Sequence, residues 1–316
     1  MQSSINDKDM GEVGVGDRHG LKKSMIETYL KDAFKTGNVD LLDQCEVREI
    51  VHEKNKSGSS EKQQVQGVFC HKLGEDGKPS LQSSPLIIQA SVVVVSGGSV
   101  NSPALLLRTE LRNSLCNLNE SGMLGRNLRL HPVVGIMAVA PHVVDIWNGA
   151  PMTTVSEEVA SGRDGSHYGA KIEVPSVLPG FIAGLLPWLD HIQYKELILD
   201  MRRAFAFIVL GRDKGNTGEI YLDKKDGRPR INYPLENHDR NSLIDGLVVA
   251  ARIAAASGAV QIGSSFASMG LRDLPSVRKT GTKKEIETDE LKREQAIDLF
   301  CNDTSLVGST DVCTGT

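Results

Sequence analysis

The chain is predicted to be α/β, mixed α+β overall, and three observations predict it. Residues 86–96 form an apolar, β-branched run that ends in Gly97-Gly98, with a helix pattern directly behind it. Beyond Pro132 the pattern changes to short β-like segments separated by loops. Residues 238–257 then carry Leu243, Leu247, Ala250, Ala251 and Ala254 at helical spacing, with Gly258 as the stop.

The elements follow in order. Residues 1–21 are polar and glycine-rich, and a disordered arm is expected there. Residues 22–36 place Met25, Ile26, Tyr29, Leu30 and Ala33 on one helical face, and Gly37-Asn38 ends the helix. Residues 44–53 and 65–73 read as two strands joined by a polar Gly/Ser/Lys loop. Val92-Val93-Val94-Val95 shows no alternation, which predicts a strand buried on both faces. Ser102 suits an N-cap and Pro103 the first helical position, where a missing N–H costs nothing. Residues 133–141 and 205–210 read as strands, 187–201 as partly helical, and 148–170 as loop. Lys224-Lys225-Asp226-Gly227 reads as the turn of a hairpin between 219–223 and 230–235. A short strand at 260–262 follows the long helix, and a charged helix is expected near 283–300.

The domains read as 1–21 arm, 22–132, 133–264, and a polar tail 265–316, with the main boundary near Pro132. The length of 316 residues allows two domains of roughly 100–200 residues each.

Composition excludes several classes. Aromatic residues make up only 4% and the net charge is -4, with no long basic run, so nucleic acid is a poor partner. Cys45, Cys70, Cys116, Cys301 and Cys313 include no CxxC pair and read as reduced thiols. The eight histidines are scattered without HExxH or paired Cys/His spacing, so no metal site is expected. No GxSxG nucleophile turn is present. No secretory leader is read at the start, and the apolar stretch 174–189 is broken by three prolines, so no transmembrane span is expected.

Two constellations carry chemistry. A strand that stops at Ser96-Gly97-Gly98 and turns into a helix is how a flavin- or dinucleotide-binding layer is built. Glycine lets a cofactor approach the backbone, and the helix start offers free N–H groups and a positive dipole end to an anion. The same turn is common throughout α/β proteins. The second constellation is Gly125-Arg126-Asn127-Leu128 with His131-Pro132. Asn127 and His131 either reach a polar site or cap the backbone of a turn.

Taken together, residues 91–107, 124–132 and 218–266 resemble the glucose–methanol–choline (GMC) flavin oxidoreductases, and within them the long-chain fatty alcohol oxidase branch. Ser96-Gly97-Gly98 with Asn101-Ser102-Pro103-Ala104 resembles a family signature. Leu124–Leu128 with His131-Pro132 resembles the loop leading toward the active site. Residues 28–51 resemble the segment whose strand passes the adenine end of FAD, with Val47 at the position that meets adenine. Departures are also plain. No strand–GxGxxG–helix stands in these residues, and Ser268-Met269-Gly270 has serine where the family's catalytic His-Met-Gly has histidine. Glu110 falls where the family usually carries glycine, and an acidic side chain is expected to disturb a turn there.

The resemblance implies a partial FAD-binding domain with a β-rich substrate domain. It implies FAD as cofactor, held by Val47, Ser96, Gly97, Gly98, Asn127 and His131, and a long-chain alcohol oxidised to the aldehyde with oxygen as acceptor. No catalytic residue is assigned, and little activity is expected of the chain alone. The branch implies membrane association, with a cytoplasmic protein as the alternative. A truncated, non-catalytic paralogue or a lipid- or partner-binding module using 174–189 is the rival reading; an α/β enzyme of another family is the second. An unpaired edge beside Val92–Val95 is expected to invite aggregation.

Overall fold

The computed structural model describes residues 23–55, 62–78, 84–113, 117–148, 152–176, 178–185, 190–214, 218–264, 271–277 and 279–302. The arm 1–21 and the segment Ser268-Met269-Gly270 lie outside them. The chain divides into two compact units, one built on Ser24–Arg129 and Asn216–Pro234, the other on Leu130–Gly215 and Leu235–Val312.

The first unit opens with a π-helical turn, Ile26–Leu30, that runs into α1 (Lys31–Lys35). Its apolar residues Met25, Ile26 and Tyr29 are exposed. Strands β1 (Cys45–Asn55) and β2 (Lys62–Lys72) form a long antiparallel ladder, and β3 (Leu86–Gln89) adds a short third strand to β2. Helix α2 (Gly98–Arg112) packs on β1. Thr109 joins the two: its fully buried hydroxyl donates to the Leu105 carbonyl and accepts the Ile50 N–H at 3.1 Å.

The second unit is a six-stranded antiparallel sheet. Its strands are β4 (Val133–Val139), β5 (Val155–Ser156), β6 (Ala170–Glu173), β7 (Ala204–Gly211), β10 (Gln261–Ser264) and β11 (Leu271–Asp273), in the order β11-β10-β4-β7-β6-β5. Two short helices, α3 (Pro179–Leu185) and α4 (His191–Leu199), lie between β6 and β7 in the chain. Alternation decides which face is covered. Val134, Ile136 and Ala138 on β4 share one face with Phe207 and Val209 on β7. Across that face lies α5 (Asn237–Ala256), through Leu243, Leu247, Ala250, Ala251 and Ala254. Small residues let it sit close: a Cβ at Gly246 would stand 2.3 Å from the Val209 side chain. Helix α6 (Lys283–Cys301) adds Ile297 and Phe300 to the same core, and a capping box between Thr282 and Glu285 fixes its start.

Three expectations change. Residues 92–95 belong to no strand, and Val92 and Val94 are 74% and 81% exposed. Among the described residues nothing pairs with this segment, so β-branched composition supplies the extended backbone without the covering layer that burial needs. Helix α2 starts at Gly98, four residues before Ser102, which leaves Pro103 inside it. The entry is possible because Gly98 holds φ +81°, which a side chain would strain. Glu110 lies within this helix, where its carboxylate accepts the Asn119 N–H, so it disturbs no turn.

The hairpin of β8 (Glu219–Leu222) and β9 (Pro229–Asn232) folds with the first unit and not with the strands that follow Pro132. Ile220 N–H donates to the Gly125 carbonyl at 2.6 Å, and Leu128 bridges to Gly218. Gly125 permits this through φ +78°; a Cβ there would lie 2.2 Å from the Ile220 oxygen.

Candidate cofactor and substrate clefts

Three clefts take up the candidate residues. The largest, about 620 Å³, lies in the first unit between β1 and the start of α2. Val47, Val92–Val95, Ser96 and Gly97 line it, with Cys45 and Arg108 beside them. β1 brings Val47, and the unpaired segment brings Ser96 and Gly97. Gly98 follows directly at the helix start, with open space where a Cβ would stand. The N-cap residue Gly97 has no side chain with which to cap this end of α2, so among the described residues the first N–H groups of the helix lie beside the cleft as donors. Arg108 reaches Glu46 at 3.1 Å and is itself mostly buried, so the cleft wall carries a fixed ion pair. Sequence reasoning missed Arg108; its place on the same face of α2 as Leu105 was the available signal.

Asn127 lines a second, smaller cleft of about 240 Å³ in the same unit, with Ser99, Gly125, Arg126, Arg129 and Ile220. Its backbone is left-handed, with φ +60°. His131 lines a third cleft, of about 520 Å³, in the second unit. That cleft also holds His167, Lys171, Arg212 and Asp213. Its charges are tied down. Lys171 pairs with Glu157, and the Arg212 guanidinium stacks on Tyr168 at 4.5 Å. The Asp213 carboxylate accepts the Leu130 N–H at 2.9 Å. Hydrogen bonds from Lys214 and Ser166 hold the nearby Asp164 carboxyl well below the usual carboxylate range. The structure therefore gathers Val47, Ser96, Gly97 and Gly98, and sets Asn127 and His131 on clefts of their own. Among the described residues no group of three metal-ligating side chains converges.

A family model described as GMC oxidoreductase matches residues 2–133. The long-chain-alcohol oxidase FAO3 of Arabidopsis thaliana is 32% identical over 263 residues, covering 80% of this chain and 32% of its own length. The long-chain-alcohol oxidase FAO4A of the same plant is 29% identical over 302 residues, 92% of this chain and 38% of its own.

The chain belongs to the GMC oxidoreductase family.

It spans about a third of the length of these curated relatives. Among solved structures, pyridoxine 4-oxidase from Mesorbium loti matches with a TM-score of 0.50 at 16% identity, over 88% of this chain and 50% of that one. This likeness carries the fold alone. FAD is the cofactor of the GMC family. The first cleft offers what part of such a molecule needs: an apolar wall for a flat ring, and beside it Gly97-Gly98 and the uncapped start of α2 for a negatively charged group. Gly97 lines the cleft, and a Cβ there would crowd Asn101 at 3.3 Å in the first turn of α2.

Proposed function

We propose that this chain serves in the FAD-dependent oxidation of a long-chain alcohol to its aldehyde, with oxygen as acceptor. The observation that carries the reading is the cleft at the start of α2, where Val47, Ser96 and Gly97 meet beside uncapped N–H groups in a chain whose curated relatives are long-chain-alcohol oxidases. Bound FAD supplies the hydride acceptor. The protein's own part is to bind and orient. Val47 and the 92–95 segment would hold the ring, Gly97 and Gly98 would keep the backbone open to it, and the α2 N-terminus would receive negative charge. Asn127 and His131 are carried as cofactor residues by the family resemblance alone, since each lines a different cleft. No side chain is assigned as general base, since no His-Met-Gly segment stands in these residues. A general base contributes about 10²–10⁴ in rate, so the 316 residues by themselves should turn over slowly.

An absorbance spectrum after incubation with excess FAD and desalting tests the cofactor half. A retained flavin band is expected; a clean protein spectrum sinks it. Peroxide release with a long-chain alcohol tests the other half. Little or none is expected, and rapid turnover would show that the chain holds a base not assigned here.

A second reading is peripheral contact with lipid, which would place the protein at a membrane. One observation favours it: Ile192 and Leu199 on α4 are 58% and 77% exposed. Among the described residues no helix is long and apolar enough to cross a bilayer. Co-sedimentation with liposomes decides, and protein found only in the supernatant removes this reading.

A further inference from the structure

The cysteines are scattered in sequence, yet the β1–β2 ladder brings two of them together. Val47 stands opposite Cys70, and Cys45 opposite Lys72. Cys45 and Cys70 are therefore diagonal neighbours on one face of the ladder; such pairs stand roughly 7–8 Å apart in a regular sheet, so a bond between them needs the strand end to close by about an ångström or more. Neither is in a disulfide, and the neighbouring Cys45 adds to the rise that burial imposes on the Cys70 thiol.

We propose that Cys45 and Cys70 form a peroxide-sensitive thiol pair that closes to a disulfide on the wall of the first cleft. The two partners are unequal in a way that assigns their order. Cys45 is half-buried and lines the cleft, so a small oxidant reaches it. Cys70 is only 1% exposed, and burial pushes its thiol up to about 11, so it is a poor first reactant. Cys45 thiolate attacks one oxygen of hydrogen peroxide. An S–O bond forms, the O–O bond breaks, and the departing hydroxide is protonated to water, leaving Cys45 as the sulfenic acid. The Cys70 sulfur then attacks the Cys45 sulfur. The S–S bond forms, the S–O bond breaks, and the second hydroxide leaves as water with the Cys70 proton. Two thiols lose two electrons in total, and one peroxide becomes two waters.

The ladder permits the approach. Cys45 is the first residue of β1, directly after Gln44 with its left-handed backbone (φ +47°), and the register shifts between Val47 and Glu49. A strand end beside a bulge can move the short distance that a covalent bond requires. The pair rests on this geometry and is independent of the proposed reaction.

The test treats the full chain with hydrogen peroxide, blocks the remaining thiols, and maps the digest without reduction. The expected product joins the Cys45 and Cys70 peptides at a mass about 2 Da below their sum, and dithiothreitol restores both peptides. Cys70→Ser should leave Cys45 as a sulfenic acid that dimedone traps. Cys45→Ser should protect Cys70 under the same treatment. The proposal is overturned if Cys45 in the wild-type chain advances to sulfinic acid unlinked, if it links to another cysteine, or if neither thiol reacts. The wild-type map decides even if a variant misfolds.

Discussion

At the scale of single residues, two positions set the first unit's geometry. Gly125 has a left-handed backbone and no room for a Cβ against Ile220. Gly125→Ala should cost about 2 kcal/mol or more, from backbone strain together with the forced retreat of β8. Chemical denaturation of the pair of proteins measures it, and an equal midpoint would mean the hairpin is not held there. Thr109 is the second position. Thr109→Val keeps the shape but strips the acceptor from the Ile50 N–H, and should cost about 1–3 kcal/mol. Hydrogen exchange at Ile50 should rise with it; unchanged exchange would show that the amide has found another partner. Neither role was legible in the sequence. Gly125 was read within a candidate polar loop, whereas its structural task depends on a strand some 95 positions later.

At the scale of elements, periodicity served well where one face is buried and failed where burial depends on a layer that the pattern cannot name. The long helix 238–257 was legible because its leucines and alanines repeat at 3.6, and α5 occupies 237–256. Helix α6 shows the converse. Its charge hides a narrow stripe, so the burial of Ile297 and Phe300 went unseen in what read as a polar tail. Residues 92–95 mislead most, since four valines in a row read as a covered strand and the structure leaves Val92 and Val94 open. If this segment drives self-association, Val94→Lys should lower light scattering at a given concentration. Equal scattering would move the cause elsewhere.

The cap of α6 gives a prediction in pH. Hydrogen bonds from the Thr282 backbone N–H and then its hydroxyl hold the Glu285 carboxyl below its ordinary value. A depressed carboxylate stabilises above the unfolded pKa of about 4.3, and that contribution fades as pH falls through the lower folded value. Thr282→Ala should lower the melting temperature by roughly 2–4 °C at pH 7 and by less near pH 3. An equal loss at both pH values would assign the effect to something other than the carboxylate.

At the scale of the whole molecule, the α/β character was legible, because it is written in local alternation. The return of the hairpin 219–232 to the first unit was not, because contiguity in sequence says nothing of which backbone a later strand will meet. The candidate site divides the same way. Ser96 and Gly97 were found from a strand–glycine–helix pattern, and Val47, Asn127 and His131 from the family resemblance; Val47 shares the cleft of Ser96 and Gly97, whereas Asn127 and His131 stand on others.

The proposed function turns on whether the cleft at the start of α2 holds FAD. Equilibrium dialysis of FAD against the wild-type chain and against Gly97→Leu decides it, because position 97 lines the cleft with an ordinary φ of -79° and a side chain there would press on Asn101 at the start of α2. Saturable binding to the wild-type chain is expected, with at least roughly tenfold weaker binding to the variant, a difference of about 1.4 kcal/mol, and the circular dichroism of the two unchanged. No saturable binding, or binding that Gly97→Leu leaves intact, would contradict it.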